Sequence, residues 1–370
     1  MAIRTLIVDD SVLFRKVLSD ALASFTNVEV LGTAPGGKLA LKKLAQTPAD
    51  LVLLDVHMEE MDGIETLRQI RKDFPDTKVV MVSGISTRNA DSTIQALEIG
   101  ALDFIRKPDG KDYDANLAEL KTDLRSVLRL IETKLLASSS LRLKKETPAS
   151  ASPSISPVSV SPSQPQRTPS ISVPPPDSFS VLAIGVSTGG PEALARVIPL
   201  LPANLGVPVV LVQHMPPNFT KSLADSLSKK SKLPVVEVQE GDEIIPNRVH
   251  IAPGGFHFVV KGTPTAAKVS INSDPPENSC RPAVDVLFRS VAEVYGDRGV
   301  LAVILTGMGN DGMRGVSVLK RKKCFCLSQT ESSCVVYGMP KAVDDARLTD
   351  ESVPLDKMAL RIAELIQKRR

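Results

Sequence analysis

Ile3-Arg4-Thr5-Leu6-Ile7-Val8-Asp9-Asp10 opens the chain with an apolar run cut off by two adjacent carboxylates, and the next segment, Ser11–Phe25, carries leucine and valine at helical spacing. The same alternation recurs. Strands are expected at Ile3–Val8, Val28–Thr33, Leu51–Asp55, Lys78–Val82 and Asp103–Arg106, with helices at Ser11–Phe25, Lys38–Gln46, Ile64–Asp73 and Ala90–Ile99 between them. A last helix is expected from Tyr113 to about Ala137. Five βα units of this kind predict a doubly wound parallel sheet, an α/β fold.

From Ser138 to Ser178 serine and proline dominate, as in Pro174-Pro175-Pro176, a composition that builds no core and reads as an extended linker. The βα alternation resumes after Phe179, with strands expected at Val181–Gly185, Val207–Val212, Val249–Ile251, Phe256–Val260 and Gly299–Leu305. Turn-like Gly254-Gly255 and Lys261-Gly262 predict a β-hairpin interrupting this second, mostly parallel sheet. The expected plan is one domain at 1–122, a helix extension and linker at 123–178, and a second α/β domain at 179–370.

Lys and Arg number 45 against 42 Asp and Glu, a net charge of +3 with no basic helix, so composition gives no support to a nucleic-acid partner. Neither a secretory signal nor an apolar stretch of membrane-spanning length is read, and a cytoplasmic, non-inserted protein is expected. The four cysteines, Cys280, Cys324, Cys326 and Cys334, are too few and too clustered for a disulfide framework. Cys324 and Cys326 fall on one face of an expected buried strand.

Asp9 and Asp10 follow the first strand and Asp55 ends the third, so three carboxylates converge at the carboxyl edge of the sheet, where α/β folds bind ligands. Three such groups call for a hard cation, and oxygen donors favour Mg²⁺. Ser83 and Lys107, at the ends of the fourth and fifth strands, add a hydroxyl and an ammonium able to hold phosphoryl oxygens, with Asp55 as the nucleophile. These residues, with Met58-Glu59-Glu60-Met61-Asp62-Gly63 and Lys107-Pro108, resemble the response-regulator receiver family over residues 1 to about 120. The resemblance implies Asp55 as phosphoacceptor, Mg²⁺ on Asp9, Asp10, Asp55 and the carbonyl of His57, and Phe104 at the switch-aromatic position.

In the second domain Val181–Gly185 runs into Val186-Ser187-Thr188-Gly189-Gly190-Pro191, which presents Ser187 at a helix N-terminus. That placement suits a nucleophilic serine and a bound phosphate equally. Gly185-Val186-Ser187-Thr188-Gly189 fits the loose Gly-x-Ser-x-Gly pattern, which alone decides little. His214 follows the next long strand and Asp311 lies in Thr306-Gly307-Met308-Gly309-Asn310-Asp311-Gly312 after a later one, so a Ser–His–Asp set is expected at one sheet edge. A phosphate cradle predicts neither of those last two residues.

These segments, with Ile251-Ala252-Pro253-Gly254-Gly255-Phe256-His257 and Arg281-Pro282-Ala283-Val284-Asp285-Val286-Leu287-Phe288, resemble the catalytic domain of chemotaxis protein-glutamate methylesterases. The resemblance implies hydrolysis of glutamate γ-methyl esters on chemoreceptors, with deamidation of receptor glutamines, and control by phosphate from a chemotaxis histidine kinase. It carries the triad onto Ser187, His214 and Asp311, puts the backbone amide of Met308 in the oxyanion hole, and implies no cofactor in this domain. The competing expectations are a receiver-regulated phosphate- or nucleotide-binding module without esterase activity, and a DNA-binding output, for which the second half is too large and lacks a basic recognition helix.

Overall fold

A computed structural model describes residues 2–84, 87–108, 110, 112–143 and 178–367. The first half is built from β1 (Ile3–Val8), α1 (Val12–Leu22), β2 (Val28–Ala34), α2 (Gly37–Gln46), β3 (Leu51–Asp55), α3 (Gly63–Asp73), β4 (Lys78–Ser83), α4 (Thr87–Glu98), β5 (Asp103–Arg106) and α5 (Tyr113–Leu143). Its five strands pair in parallel in the order β2-β1-β3-β4-β5, as expected of the doubly wound class. Leu51, Val52, Leu53 and Leu54 are all fully buried because helices cover both faces. Ser11 and Asp62 cap α1 and α3 by accepting the Phe14 and Glu65 amides, which stops each loop where the acidic edge needs it. Helix α5 runs through Ser138–Leu143, six residues into the stretch whose composition reads as linker. The rest of the expected linker, up to residue 177, lies outside the described residues.

The second half comprises β6 (Val181–Val186), α6 (Gly190–Val197), β7 (Val209–Gln213), α7 (Phe219–Lys230), β8 (Val235–Glu237), β9 (Val249–Ile251), β10 (His257–Thr263), β11 (Ala266–Asn272), α8 (Val284–Tyr295), β12 (Val300–Ile304), α9 (Met313–Lys320), β13 (Cys324–Gln329), α10 (Met339–Asp345), β14 (Glu351–Val353) and α11 (Leu355–Gln367). Seven strands pair in parallel in the order β14-β13-β12-β6-β7-β9-β8. The hairpin exists, but it corrects the expectation: β10 and β11 form their own two-stranded antiparallel sheet, and the parallel sheet is uninterrupted. The physical reason is the apolar side of the hairpin, Phe258, Val260, Ala267 and Val269, which is buried with α8 rather than paired to a strand edge. Cys324 and Cys326 are buried on β13, and all four cysteines are free thiols.

The two halves touch. Helix α4 packs on α6 and α7, and Phe104 stacks on Phe219 with ring centroids 4.5 Å apart. Glu98, almost fully covered, accepts from Ser226 Oγ at 2.7 Å and Lys230 Nζ at 2.5 Å. Met308, Val335 and Val336 pack on the apolar cluster that includes Leu120, Leu124 and Val127 of α5.

Candidate functional site

At the carboxyl edge of the first sheet, one oxygen from each of Asp9, Asp10 and Asp55 lies within 4.8 Å of the others. Lys107 Nζ is 2.7 Å from both Asp9 Oδ2 and Asp55 Oδ2, so an ammonium neutralises the pair the expected cation would share. An all-oxygen donor set fits Mg²⁺. Burial pushes the Asp55 carboxyl up while Lys107 pulls it back; burial pulls the Lys107 ammonium down, but Asp55 and Asp9 outweigh that and raise it. Ser83 Oγ accepts from Thr93 Oγ1 at 2.8 Å, which directs the hydroxyl. His57 is exposed, its Nε2 against Asn89 Oδ1 at 2.7 Å, and its backbone amide donates to Asp55 Oδ1 at 3.5 Å.

In the second sheet the register assembles the other cluster. Val186 pairs with Gln213 and Gly185 with Ile304, so Ser187, His214 and Thr306 leave three neighbouring strands at one edge. Ser187 N donates to Thr306 O at 3.0 Å, and Gln213 Nε2 ties Ser187 O and His214 O together at 3.0 and 3.1 Å. A Cβ at Gly307 would stand 2.7 Å from Ser187 Cβ, so only glycine lets this loop close on the serine. Gly189, at φ 77°, makes the left-handed turn that starts α6.

His214 Nε2 is 2.7 Å from Asp311 Oδ2. Asp311 is buried and accepts four more hydrogen bonds: Val284 N at 2.7 Å, Asn278 Nδ2 at 2.8 Å, and the Asp285 and Gly312 amides at 3.0 Å. Burial pushes its carboxyl up, but His214 and these amides outweigh it and hold it below the ordinary value. Burial pulls the imidazole down; Asp311 and then Cys280 outweigh that and carry it up to about 9. Among the described residues no hydrogen bond joins Ser187 Oγ to His214; its Nδ1 faces Cys280 Sγ at 3.4 Å.

Reading the residues in order missed Asn278, Asp285, Gln213 and the N-terminus of α8 as parts of this cluster. Asp285 is buried, accepts from Gly315 N at 2.6 Å and Asn278 Nδ2 at 3.0 Å, and burial raises its pKa. An aspartate opening an amphipathic helix after Arg281-Pro282 was the one available signal. His250 and His257 are structural, held by Val209 O at 3.0 Å and Pro275 O at 3.1 Å. Arg281 Nη1 donates to Ser273 O and Asp274 O, which ties it to its own turn.

The first half roofs this cluster. A cavity of about 490 Å³ lies between Asp103, Phe104, Asp123 and Val127 on one side and His214, Met215, Cys280 and Arg281 on the other. Thr188, next to Ser187, donates to Asp103 Oδ2 at 3.2 Å. Burial pushes the Asp103 carboxyl up to about 6 against the Phe104 amide and Thr188 hydroxyl, which lower it.

A family model described as CheB methylesterase matches residues 182–362, and one described as response regulator receiver domain matches residues 5–115. A protein-glutamate methylesterase/protein-glutamine glutaminase of Desulfotalea psychrophila is 42% identical over 374 residues, covering 99% of each chain. The chain belongs to the CheB methylesterase family. A second CheB-family relative of the same name, from Trichodesmium erythraeum, is 39% identical over 98% of this chain and 99% of its own. The crystal structure of the Thermotoga maritima CheB methylesterase catalytic domain is 41% identical, covers 51% of this chain and 99% of its own, and has a TM-score of 0.49. Among the described residues no helix is long and apolar enough to cross a membrane.

Proposed function

We propose that this CheB-family chain hydrolyses glutamate γ-methyl esters on chemoreceptors, deamidates receptor glutamines, and is switched on by phosphorylation of Asp55. The observation that carries the catalytic part is the buried His214–Asp311 pair beside Ser187, together with the relatives' shared name. Ser187 Oγ attacks the ester carbonyl as His214 takes its proton, and His214 returns that proton to the methoxy oxygen as it leaves as methanol, or to the amide nitrogen as it leaves as ammonia. Water then opens the acyl-serine by the same base. Asp311, held ionised by five donors, orients the imidazole and stabilises its charged form. The Met308 amide faces the developing oxyanion from the loop that Gly307 lets approach.

The phosphate-cradle alternative loses ground because two amides it would use are taken: Ser187 N by Thr306 O and Gly190 N by Ser187 O at 2.7 Å. In the receiver, Asp9, Asp10, Asp55 and the carbonyl of His57 would hold Mg²⁺, which neutralises an incoming phosphoryl group. Ser83 and Lys107 bind its oxygens. A new dianion at Asp55 competes for Lys107, disturbs the β4–β5 edge and loosens the Phe104–Phe219 and Glu98–Lys230 contacts, so the receptor helix replaces the roof. The phosphodonor is a chemotaxis histidine kinase.

Methanol release from methylated receptor membranes, with and without a small phosphodonor and Mg²⁺, tests this. Release that rises with phosphodonor and vanishes in Ser187→Ala is expected. Release that survives Ser187→Ala overturns the catalytic assignment.

A further inference from the structure

A catalytic imidazole uses one nitrogen to face its carboxylate and the other to receive the nucleophile's proton. In this chain Asp311 holds Nε2, so the nitrogen left for Ser187 is Nδ1, and Nδ1 is where Cys280 Sγ lies, at 3.4 Å. Cys280 is half-buried on the wall of the interdomain cavity.

Its position is built, not incidental. Glu277 and Cys280 exchange backbone hydrogen bonds of 3.1 and 2.9 Å, closing a turn whose two central residues, Asn278 at φ 52° and Ser279 at φ 63°, both take the left-handed conformation. Non-glycine residues rarely adopt it, and adjacent pairs persist only where surrounding contacts enforce them. Those contacts are present: Arg289 on α8 grips Glu277 through its two terminal guanidinium nitrogens, at 2.8 and 2.5 Å, and Asn278 bonds Asp311 and Asp285. One four-residue turn thus sets an amide behind the aspartate and a thiol in front of the histidine.

We infer that Cys280 is a positioning residue of the esterase reaction, holding the proton-accepting nitrogen of His214 in the covered chain and yielding it to the Ser187 hydroxyl when substrate enters. This rests on the Ser187–His214–Asp311 assignment above. A thiol is a weak hydrogen-bond partner, so it can orient the ring and still be displaced. In the charged imidazole Nδ1–H donates to the sulfur, so the contact favours that form, and removing it shifts His214 toward the neutral form, the one able to accept a proton. The other charged groups around the ring, Asp311 and Asp285 beneath, Arg281 beside it, and Asp103, Arg106 and Asp123 across the cavity, are unchanged by substitution at 280.

The test compares full-length wild type, Cys280→Ala, Cys280→Val and Cys280→Ser, each with phosphodonor and Mg²⁺. The pH dependence of kcat/KM for methanol release is followed alongside NMR titration of the imidazoles, tractable with 4 histidines in the chain. Loss of one modest hydrogen bond corresponds to a shift of about half a pH unit. The acid limb and the His214 titration are expected to move down together by about that much in Cys280→Ala and Cys280→Val, while Cys280→Ser keeps the wild-type limb. Superimposable limbs and an unmoved His214 titration in either apolar variant overturn the proposal. Ser187→Ala is run in parallel: residual release there indicts the triad, whereas a dead Ser187→Ala with unmoved limbs indicts Cys280 alone.

Discussion

Asn278 reaches Asp311 from 33 residues away, and its amide is one of five donors that keep this buried carboxylate charged. Hydrogen bonds to charged groups contribute about 1.5–3 kcal/mol, so Asn278→Ala is expected to lower kcat/KM for methanol release roughly 10- to 100-fold, and a loss under twofold would remove it from the site. His214 supplies a pH signature. Its folded-state pKa, near 9, lies above the unfolded value of 6.5, so the stability it contributes is fully present below the latter and is lost as pH rises through the former. The gap in urea midpoint between wild type and His214→Phe is therefore expected to narrow between neutral and about pH 10; a constant gap would contradict the raised value. That Ser187, His214 and Asp311 share one sheet edge was legible in the sequence because each ends a strand or sits in the loop just after one, where position along the chain reports position at the edge. Asn278 and Cys280 were not, because their place depends on a left-handed turn of ordinary residues that no glycine or Asn-Gly pair marks.

Strand placement was legible wherever a run is buried on both faces, as in β1, β3, β6 and β12, since such runs are continuously apolar. The short β8 and β14 were missed: each is three residues long at an outer edge of the seven-stranded sheet, with little to bury. The role of α4 was missed for a different reason. Its apolar positions serve its own sheet and α6 and α7 of the other half, and a helical period does not say which partner it covers. Two expectations attach to this packing. Lys230→Glu opposes Glu98 with like charge; Lys230 is about half exposed, so the pair contributes only about 1 kcal/mol, and the rate without phosphodonor should rise roughly two- to fivefold while the phosphodonor-activated rate holds. Asp103→Asn keeps a polar partner for Thr188 but removes a carboxylate whose pKa burial raises, a group that opposes closure increasingly as pH climbs from about 4 through 6. That variant should have a lower unphosphorylated rate than wild type at neutral pH, with the difference fading in acid; an unchanged rate would mean that Asp103 does not sense the closure.

At the scale of the molecule, the roof and the cleft are parts of one polypeptide joined by the segment after Leu143, so they meet at an effective concentration independent of how dilute the protein is. A weak seam can therefore stay shut, and a single phosphoryl group can open it. The roofed cavity between Asp103 and His214 also binds the two ends of the switch by thermodynamic reciprocity. If a charge at Asp55 raises the cleft's affinity for a methylated receptor helix by some factor, that helix must raise the receiver's affinity for a phosphoryl mimic by the same factor. Beryllium trifluoride is expected to bind the wild-type chain more tightly when receptor membranes are present, and Lys230→Glu is expected to reduce the difference. Equal affinity in both cases for wild type would sever the coupling. With it intact, the receptor would be an effector of the receiver as well as the substrate proposed for the hydrolase, and how long the phosphoryl signal persists would depend on how much ester remains to be cleaved.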